Sequence, residues 1–358
     1  MSKRTNKMGR GKRLKAATVT MKDVARLAGV SLGTVSKVFN NHKGVKPVNF
    51  GKVQAAVREL NFKPNDVARS MRTKSSRMIG CMVTTVNNPV AGQMIQGAEN
   101  ILRQAGYALL LSANHHVEED EATILNVFKA RRAEGVILTV TRDQAPETKS
   151  RLRDLAIPTV LWERDSGPDF DAALTDHAYG AEVAASHLLA LGHRRIAIIA
   201  GYQETWTGRE QLRGYHAAFA AAGVAVEDEL VSYTNSFDVG RIYALFQLAK
   251  PPTALIVNVH NAALALRAAN KLGRIAPRDF SVVSIGDSED LEVFAPPITA
   301  VRGDGAAIGA AAARLILDRL SGSPPKESRR VVVPMELIIR NSTAPPSSKG
   351  ILANSPHP

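Results

Sequence analysis

Apolar positions at helical spacing mark two short segments near the start of the chain. The first segment runs from Thr20 to Ala28 and the second from Ser31 to Asn40, with Gly29 between them. Glycine suits a helix C-terminus because it adopts a left-handed backbone at low cost, and serine can cap the following helix. The spacing predicts two helices joined by a tight turn, with inward positions at Val24, Ala25, Leu27, Ala28, Val35 and Val38.

Two helices in this arrangement are typical of a helix-turn-helix, whose second helix lies in the major groove of DNA. A helical hairpin inside an unrelated core produces the same local pattern, and the distribution of charge favours DNA. Residues 1–77 contain 19 Lys and Arg against 3 Asp and Glu, whereas the remaining residues carry 27 against 30. The whole positive excess therefore lies on the segment that would face phosphates.

A third helix is predicted over about 47–60, and from residue 78 onward apolar runs alternate with amphipathic segments. Such runs are typical of buried parallel strands, and the alternation predicts α/β folding. Two successive series of this kind predict two doubly wound parallel-sheet lobes with a cleft between them. The predicted strands are 78–86, 107–112, 135–140, 157–161, 195–200, 254–258 and 281–285, and the predicted helices are 94–104, 119–131, 179–191, 211–222 and 262–272.

Composition narrows the class of protein. The chain of 358 residues is 45% hydrophobic and 22% charged, as expected for a globular protein with a small head and two larger domains. Cys81 is the single cysteine, which excludes an internal disulfide and suits the cytoplasm. The scattered histidines form no metal motif, no segment has the pattern of a signal peptide, and none is apolar enough to span a membrane. We therefore expect no metal, no cofactor and no membrane partner.

Several motifs together resemble the lactose-repressor (LacI/GalR) family of bacterial transcription regulators. The resemblance begins with the gapless run from Val19 to Asn40 and extends to about residue 343. Its further landmarks are Leu60-Asn61-Phe62-Lys63-Pro64-Asn65, Val67-Ala68-Arg69, Asn88-Pro89, Gln104-Ala105-Gly106-Tyr107 and the run from His187 to Ile196. The resemblance implies a core of periplasmic-binding-protein type, in which the chain crosses three times between the lobes.

The domain organisation follows from the charge pattern and the resemblance. Residues 1–18 are expected to be a disordered basic tail, 19–63 the DNA-binding head, and 64–77 a hinge helix with its linker. The core for effector binding and dimerisation is expected over 78–343, followed by a disordered tail at 344–358. The first lobe would comprise about 78–175 and 305–330, and the second about 176–304 and 331–343.

The resemblance implies which side chains contact DNA. Leu32, Gly33 and Lys37 occupy the positions that face base edges, and Lys37 can donate to a guanine. Gly33 departs from the family by offering no side chain, and Met71 stands where the family places an apolar wedge for the minor groove. The remaining predicted contacts, mostly to phosphates, are Thr20, Ser31, Thr34, Ser36, Asn40, Phe62 and Asn65.

The family binds a small effector, often a sugar or a purine, in the cleft between the lobes. The positions carried over by resemblance are Asn88, Val90, Asn114, Glu163, Arg209, Gln211, Val259, Gly286 and Gly303. Asp287 is added to them, and both Asp287 and His260 lie one residue from a replaced position, where the register could be shifted by one. Gly286, Gly303 and Val259 replace longer polar residues of the family, so we expect fewer hydrogen bonds and more room in the second lobe. This predicts a larger or less polar ligand, or a sugar derivative.

The sequence therefore predicts a DNA-binding transcriptional repressor that acts as a homodimer on a near-palindromic operator under the control of a small effector. The alternative is a sugar receptor of periplasmic type, which would lack a use for the basic head. An enzyme is not expected, because the chain has no Gly-x-Ser-x-Gly elbow, no phosphate-binding glycine loop and no metal motif, and hence no catalytic residues.

Overall fold

The computed structural model describes residues 19–39, 44–62, 75–234 and 239–347, and the chain divides into two compact units near Ser75. The smaller unit contains three helices, α1 (Met21–Ala28), α2 (Leu32–Phe39) and α3 (Pro47–Glu59). Their apolar faces meet in one core because valines spaced at the helical period point inward from each helix. Val24, Val35 and Val53 form its centre, and the Phe39 and Phe62 rings pack 5.8 Å apart beside it.

The larger unit contains two six-stranded sheets, one in each lobe. The first sheet is parallel throughout, and the second is parallel except for β12, which runs antiparallel beside β10. In spatial order the first sheet comprises β2 (Ala108–Ala113), β1 (Met78–Val83), β3 (Gly135–Leu138), β4 (Thr159–Trp162), β5 (Asp171–Thr175) and β11 (Arg330–Val333). The second comprises β7 (Val231–Tyr233), β6 (Ile196–Ala200), β8 (Ala254–Asn258), β9 (Ser281–Ile285), β10 (Thr299–Gly303) and β12 (Met335–Ile338).

Helices cover both faces of the sheets, as a doubly wound fold requires. They are α4 (Pro89–Gln104), α5 (Glu118–Ala130), α6 (Pro146–Asp154), α7 (His177–Ala190), α8 (Trp206–Ala221), α9 (Val239–Phe246), α10 (Val259–Lys271), α11 (Asp290–Val293) and α12 (Gly305–Arg319). The pairs α4–α12 and α7–α8 approach closely. At Gly309 a Cβ atom would lie 1.8 Å from the carbonyl oxygen of Met94, so only glycine fits there.

The chain crosses between the lobes at Asp176, Asp304 and Pro334. The expectation that residues 331–333 return to the second lobe is wrong, because β11 pairs with β5 in the first sheet from Arg330 to Val333. Pro334 separates this strand from β12, and only the latter joins the second sheet. The physical reason is that a proline interrupts strand hydrogen bonding, so one apolar run becomes two short strands.

Several elements were not predicted, namely α6, α9, α11, β5, β7 and β10. The C-terminal segment also differs from expectation, because the carbonyl of Ala344 accepts hydrogen bonds from His193 Nε2 at 2.9 Å and Ser281 Oγ at 3.0 Å. The packed core therefore extends past residue 343. Other predictions lie outside the described residues: the basic tail, the helix of the hinge, residues 348–358, and the DNA contacts Asn40, Asn65 and Met71.

Candidate functional sites

The turn between α1 and α2 is closed by one left-handed residue and by capping hydrogen bonds. Gly29 has a φ angle of +61°, and the backbone N–H of Val30 donates to the carbonyl of Ala25 at 3.1 Å. Ser31 caps α2, since its Oγ accepts from the backbone N–H of Thr34 at 3.1 Å. These contacts confirm the helix-ending and capping roles predicted for Gly29 and Ser31.

The solvent-facing side of α2 carries the three residues predicted to face base edges. Leu32 is 43% exposed, and Gly33 and Lys37 are also exposed. Because the apolar side of α2 is buried in the core of the head, this opposite side is the one available to a groove of DNA. The predicted phosphate contacts on α1 and α2 are Thr20 and Ser31, which are exposed, and Thr34 and Ser36, which are half-buried.

Phe62 does not share this exposure. Its ring is 7% exposed and packs in the core of the head against Phe39. A buried ring without a hydroxyl cannot reach a phosphate, so the prediction of a DNA contact by the Phe62 side chain is wrong. Its observed role is to close the small core behind α2.

The second candidate site is a cavity of about 310 Å³ between the two lobes of the core. It lies at the carboxyl ends of the parallel strands, where open α/β sheets bind ligands. Seven predicted effector contacts line it: Asn88, Val90, Glu163, Gln211, Val259, Gly286 and Gly303.

Glu163 is the acidic residue of the cavity wall, and both oxygens of its carboxylate are engaged, one by Thr175 on the first lobe and one by His177 on the second. Oε1 accepts from Thr175 Oγ1 at 2.7 Å, and Oε2 bonds with His177 Nε2. Burial alone would raise the pKa of Glu163, but the charge and hydrogen bond of His177, together with the Thr175 bond, outweigh it and lower the pKa. Glu163 is therefore an ionised carboxylate at neutral pH, with both oxygens occupied.

Arg164 follows directly and is 5% exposed on the same wall. Its Nε donates to the carbonyl of Val140 at 2.6 Å, and its Nη1 donates to the carbonyl of Glu163 at 2.7 Å and to Thr207 Oγ1 at 3.4 Å. Burial lowers the pKa of Arg164, although an arginine remains protonated at neutral pH. The cavity therefore contains a desolvated cation.

The amide side chains of the cavity wall are also bound to the protein. Gln211 accepts from the backbone N–H of Gly201 at 3.0 Å and donates to Asn258 Oδ1 at 2.9 Å. Asn88 caps α4 by accepting from the backbone N–H of Val90 at 2.9 Å. These groups shape the wall, and a ligand would have to compete for them.

The extra room expected at Gly286 and Gly303 is not observed. A Cβ at Gly286 would lie 3.2 Å from Val259 Cβ and 3.5 Å from Val90 Cγ2, and one at Gly303 would lie 3.0 Å from Thr175 Cγ2. Side chains of both lobes therefore lie close to these two positions, with Val90 and Thr175 on the first lobe and Val259 on the second. Val90, on the first lobe, also packs against the core of the second.

Three predicted effector contacts do not line the cavity, because each is held by a partner elsewhere. Asn114 is buried and donates to the carbonyl of Thr139 at 3.0 Å, and Asp287 forms an ion pair with Arg340 at 2.8 Å. Arg209 forms an ion pair at 2.9 Å with Asp143.

The Asp143–Arg209 pair connects the two lobes. Asp143 lies on the first lobe and is fully buried, and its Oδ2 accepts from the backbone N–H of Trp206 at the start of α8 at 2.7 Å. The Trp206 side chain packs against the core of the first lobe and edge-on to the His177 ring, with centroids 5.7 Å apart. The N-terminus of α8 thus docks on the opposite lobe through a buried carboxylate.

The sequence prediction missed His115, His116, His177 and Arg164 on the cavity wall, and it considered His260 only as a neighbour of Val259. His115 and His116 have φ angles of 50° and 62°, which histidine tolerates better than most residues. Their position directly after a predicted strand could have indicated them. The four imidazoles of the wall belong to His115, His116, His177 and His260.

Comparison with known proteins matches both units. Residues 20–65 match the lacI family of bacterial regulatory proteins, and residues 185–343 match a periplasmic binding protein-like domain. The HTH-type transcriptional repressor PurR of Vibrio campbellii is 33% identical over 90% of this chain and 98% of its own length. The ribose operon repressor of Escherichia coli is 31% identical, covering 88% of this chain and 97% of that protein.

Comparison with solved structures also finds transcriptional regulators. The lac repressor dimer bound to operator and the anti-inducer ONPF has a TM-score of 0.80 at 26% identity, covering 91% of this chain and 99% of that one. The complex of the transcriptional regulator CelR with cellobiose has a TM-score of 0.67 at 29% identity, covering 90% and 99%. Within the described ranges, no helix is long and apolar enough to cross a membrane, and no group of three or more His, Cys, Asp or Glu is placed to hold a metal ion.

Proposed function

Because this chain belongs to the lacI family of bacterial regulatory proteins, we propose that it is a cytoplasmic repressor that binds a near-palindromic operator as a homodimer. A small effector in the interlobe cavity would control its operator affinity, and the protein would have no catalytic activity. The observation that carries the proposal is a single chain joining a capped, exposed recognition helix to a two-lobed core with a cavity.

On this proposal each head residue has a distinct role. Lys37 reads a base, Leu32 contacts a thymine methyl group, and Gly33 leaves one base pair weakly specified. The hydroxyl residues of α1 and α2, together with the basic segments, bind phosphates and set the position on DNA. The cavity residues Asn88, Val90, Glu163, Gln211, Val259, Gly286 and Gly303 form the effector site.

A receptor that binds sugar without DNA is the alternative, and the basic head argues against it. Excess positive charge confined to residues 1–77 has no role in a ligand receptor but neutralises phosphates on DNA. DNA binding also places the protein in the compartment that holds the genome.

The test begins with selection of operators from a randomised duplex library, followed by fluorescence anisotropy with the selected duplex. We expect nanomolar affinity that falls steeply between low and physiological salt, because several phosphates are neutralised per dimer. A scrambled duplex of equal length is the control. Equal affinity for both duplexes, or affinity unchanged by salt, would contradict the proposal.

A further inference from the structure

The charges on the cavity wall are unevenly distributed. Among the described residues that line it, Glu163 is the one carboxylate and Arg164 the one guanidinium, and four histidines supply the other ionisable groups. A site that binds neutral sugars needs carboxylate and amide oxygens facing the ligand hydroxyls. Of the six ionisable side chains that line this wall, five are therefore bases and one is an acid.

The carboxylate of Glu163 is not available to accept hydrogen bonds from a ligand. Its two oxygens are taken by Thr175 and His177, so its negative charge is compensated within the wall. A ligand hydroxyl could bind this carboxylate only by displacing one of these partners, at the cost of a buried hydrogen bond.

Arg164 differs from Glu163 because its hydrogen-bond partners are uncharged. The acceptors of its described hydrogen bonds are two backbone carbonyls and one hydroxyl, all of them neutral. None of the ion pairs formed by the described residues includes Arg164, and the carboxylate of nearby Asp143 is engaged by Arg209. Asp143, Glu163 and Glu121 attract the guanidinium, but none of them pairs with it directly and burial still lowers its pKa. An anion bound directly beside Arg164 would reduce the remaining cost of burying this cation.

The second lobe offers a neutral polyol little compensation. Gln211 is bound to Gly201 and Asn258, and the positions Val259, Gly286 and Gly303 carry no side-chain donor or acceptor. The hydroxyls of Thr205 and Thr207 already donate to the carbonyls of Tyr202 and Glu163. The hydroxyls of a neutral sugar would therefore lose water without regaining as many hydrogen bonds.

We infer that the effector of this cavity is a small organic anion whose acidic group pairs with Arg164, in the manner of a sugar acid or a sugar phosphate. This inference rests on the proposed function, since it assigns the chemical class of the ligand that the repressor senses. The carboxylate or phosphate binds on the first lobe, and the rest of the ligand lies against the apolar wall formed by Val90, Met94, Trp162, Ile285 and Met335.

The experiment compares matched ligands on the full-length protein at constant ionic strength and pH. Each aldose of a hexose and pentose panel is paired with its aldonate, its uronate and its phosphate ester, and thermal shift is followed by calorimetric titration. We expect stabilising ligands in the anionic arms, with at least about tenfold tighter binding than the neutral partner. The carboxylate and phosphate arms distinguish the two kinds of acidic group.

Two substitutions separate an anion site from an ordinary sugar site. Arg164→Gln should weaken the anion about tenfold or more, whereas Glu163→Gln should strengthen it about threefold by removing a like charge. A sugar site centred on the carboxylate predicts the reverse order. Arg153→Gln is the matched control, because that guanidinium lies on the same lobe, exposed and paired with Asp169. If Arg164→Gln does not fold, the affinities of Glu163→Gln and Arg164→Lys still distinguish an anion site from a site for neutral sugars.

The inference is overturned if a neutral sugar or a purine binds more tightly than every anion, if no anion binds, or if Arg164→Gln leaves anion affinity unchanged. Operator anisotropy with each ligand tests the proposed function separately. A neutral ligand that alters operator affinity would overturn the anion inference but would still support the proposed function as an effector-controlled repressor. A bound anion that leaves operator affinity unchanged would count against the effector role and not against the anion site.

Discussion

Replacing Asp143 with Asn should weaken the closed arrangement of the two lobes. The carboxylate accepts from Arg209 Nη2 at 2.9 Å and from the backbone N–H of Trp206 at 2.7 Å, both across the cleft. An asparagine of the same shape has one acceptor oxygen, and its NH2 group faces a donor. The variant therefore loses the interlobe ion pair and one of the two hydrogen bonds.

The size of the effect follows from the burial of the pair. Asp143 is fully buried, but the Arg209 side chain is 33% exposed, so solvent screens part of the attraction. A charge-assisted hydrogen bond contributes about 1.5–3 kcal/mol when buried, and we take about 2 kcal/mol for the screened contact. This corresponds to a shift of about 30-fold in the equilibrium between closed and open lobes.

Tryptophan fluorescence measures this shift, because the chain has two tryptophans in different settings. Trp206 lies in the interlobe contact, and Trp162, although buried, lines the interlobe cavity, so opening of the lobes would expose both to solvent. We expect D143N to show red-shifted emission and stronger acrylamide quenching than the wild type. Asp169→Asn, which breaks a surface ion pair within the first lobe, is the control. Equal quenching in wild type and D143N would refute the interlobe role of Asp143.

Three further predictions concern other parts of the molecule. Lys37→Ala should cost about 1–3 kcal/mol at one base pair per half-site in operator-variant titrations, and a uniform loss over all variants would assign Lys37 to phosphate. Gly309→Ala should lower the free energy of unfolding, measured by urea titration, by more than the about 1–3 kcal/mol typical of overpacking, because its Cβ would meet a backbone carbonyl; an unchanged free energy of unfolding would contradict the close helix contact. Burial lowers the pKa of His193 in the folded protein. As the pH falls below about 6.5, this histidine is therefore protonated in the unfolded chain before it is protonated in the folded one, and the free energy of unfolding should decrease. His193→Gln should flatten this pH dependence of the urea midpoint, and an equally steep dependence would show that another group causes it.

The order of strands and helices in the core could be predicted wherever each strand is a continuous apolar run. β8 and β9 were predicted at their observed bounds for this reason, since a strand buried on both faces has a strong sequence signal. β5 was missed because it begins with Asp171, a residue that local patterns place in a loop. In the structure Asp171 is buried and paired with Arg319 at 2.7 Å. The partner is 148 positions away, so no local pattern indicates it.

Which predicted residues line the cavity also depends on partners far away in the sequence. For one pair of residues, however, helix geometry alone could have shown that only one of them faces the cavity. Arg209 and Gln211 are two positions apart on α8, and residues two apart on a helix point to different sides. Both could not face one cavity, and Gln211 faces it while Arg209 meets Asp143. Gly286 and Asp287 follow β9 directly, and Gly286 lines the cavity while the Asp287 carboxylate is paired with Arg340. A family resemblance transfers positions along the chain, and the period of the element decides which of two neighbouring positions reaches the ligand.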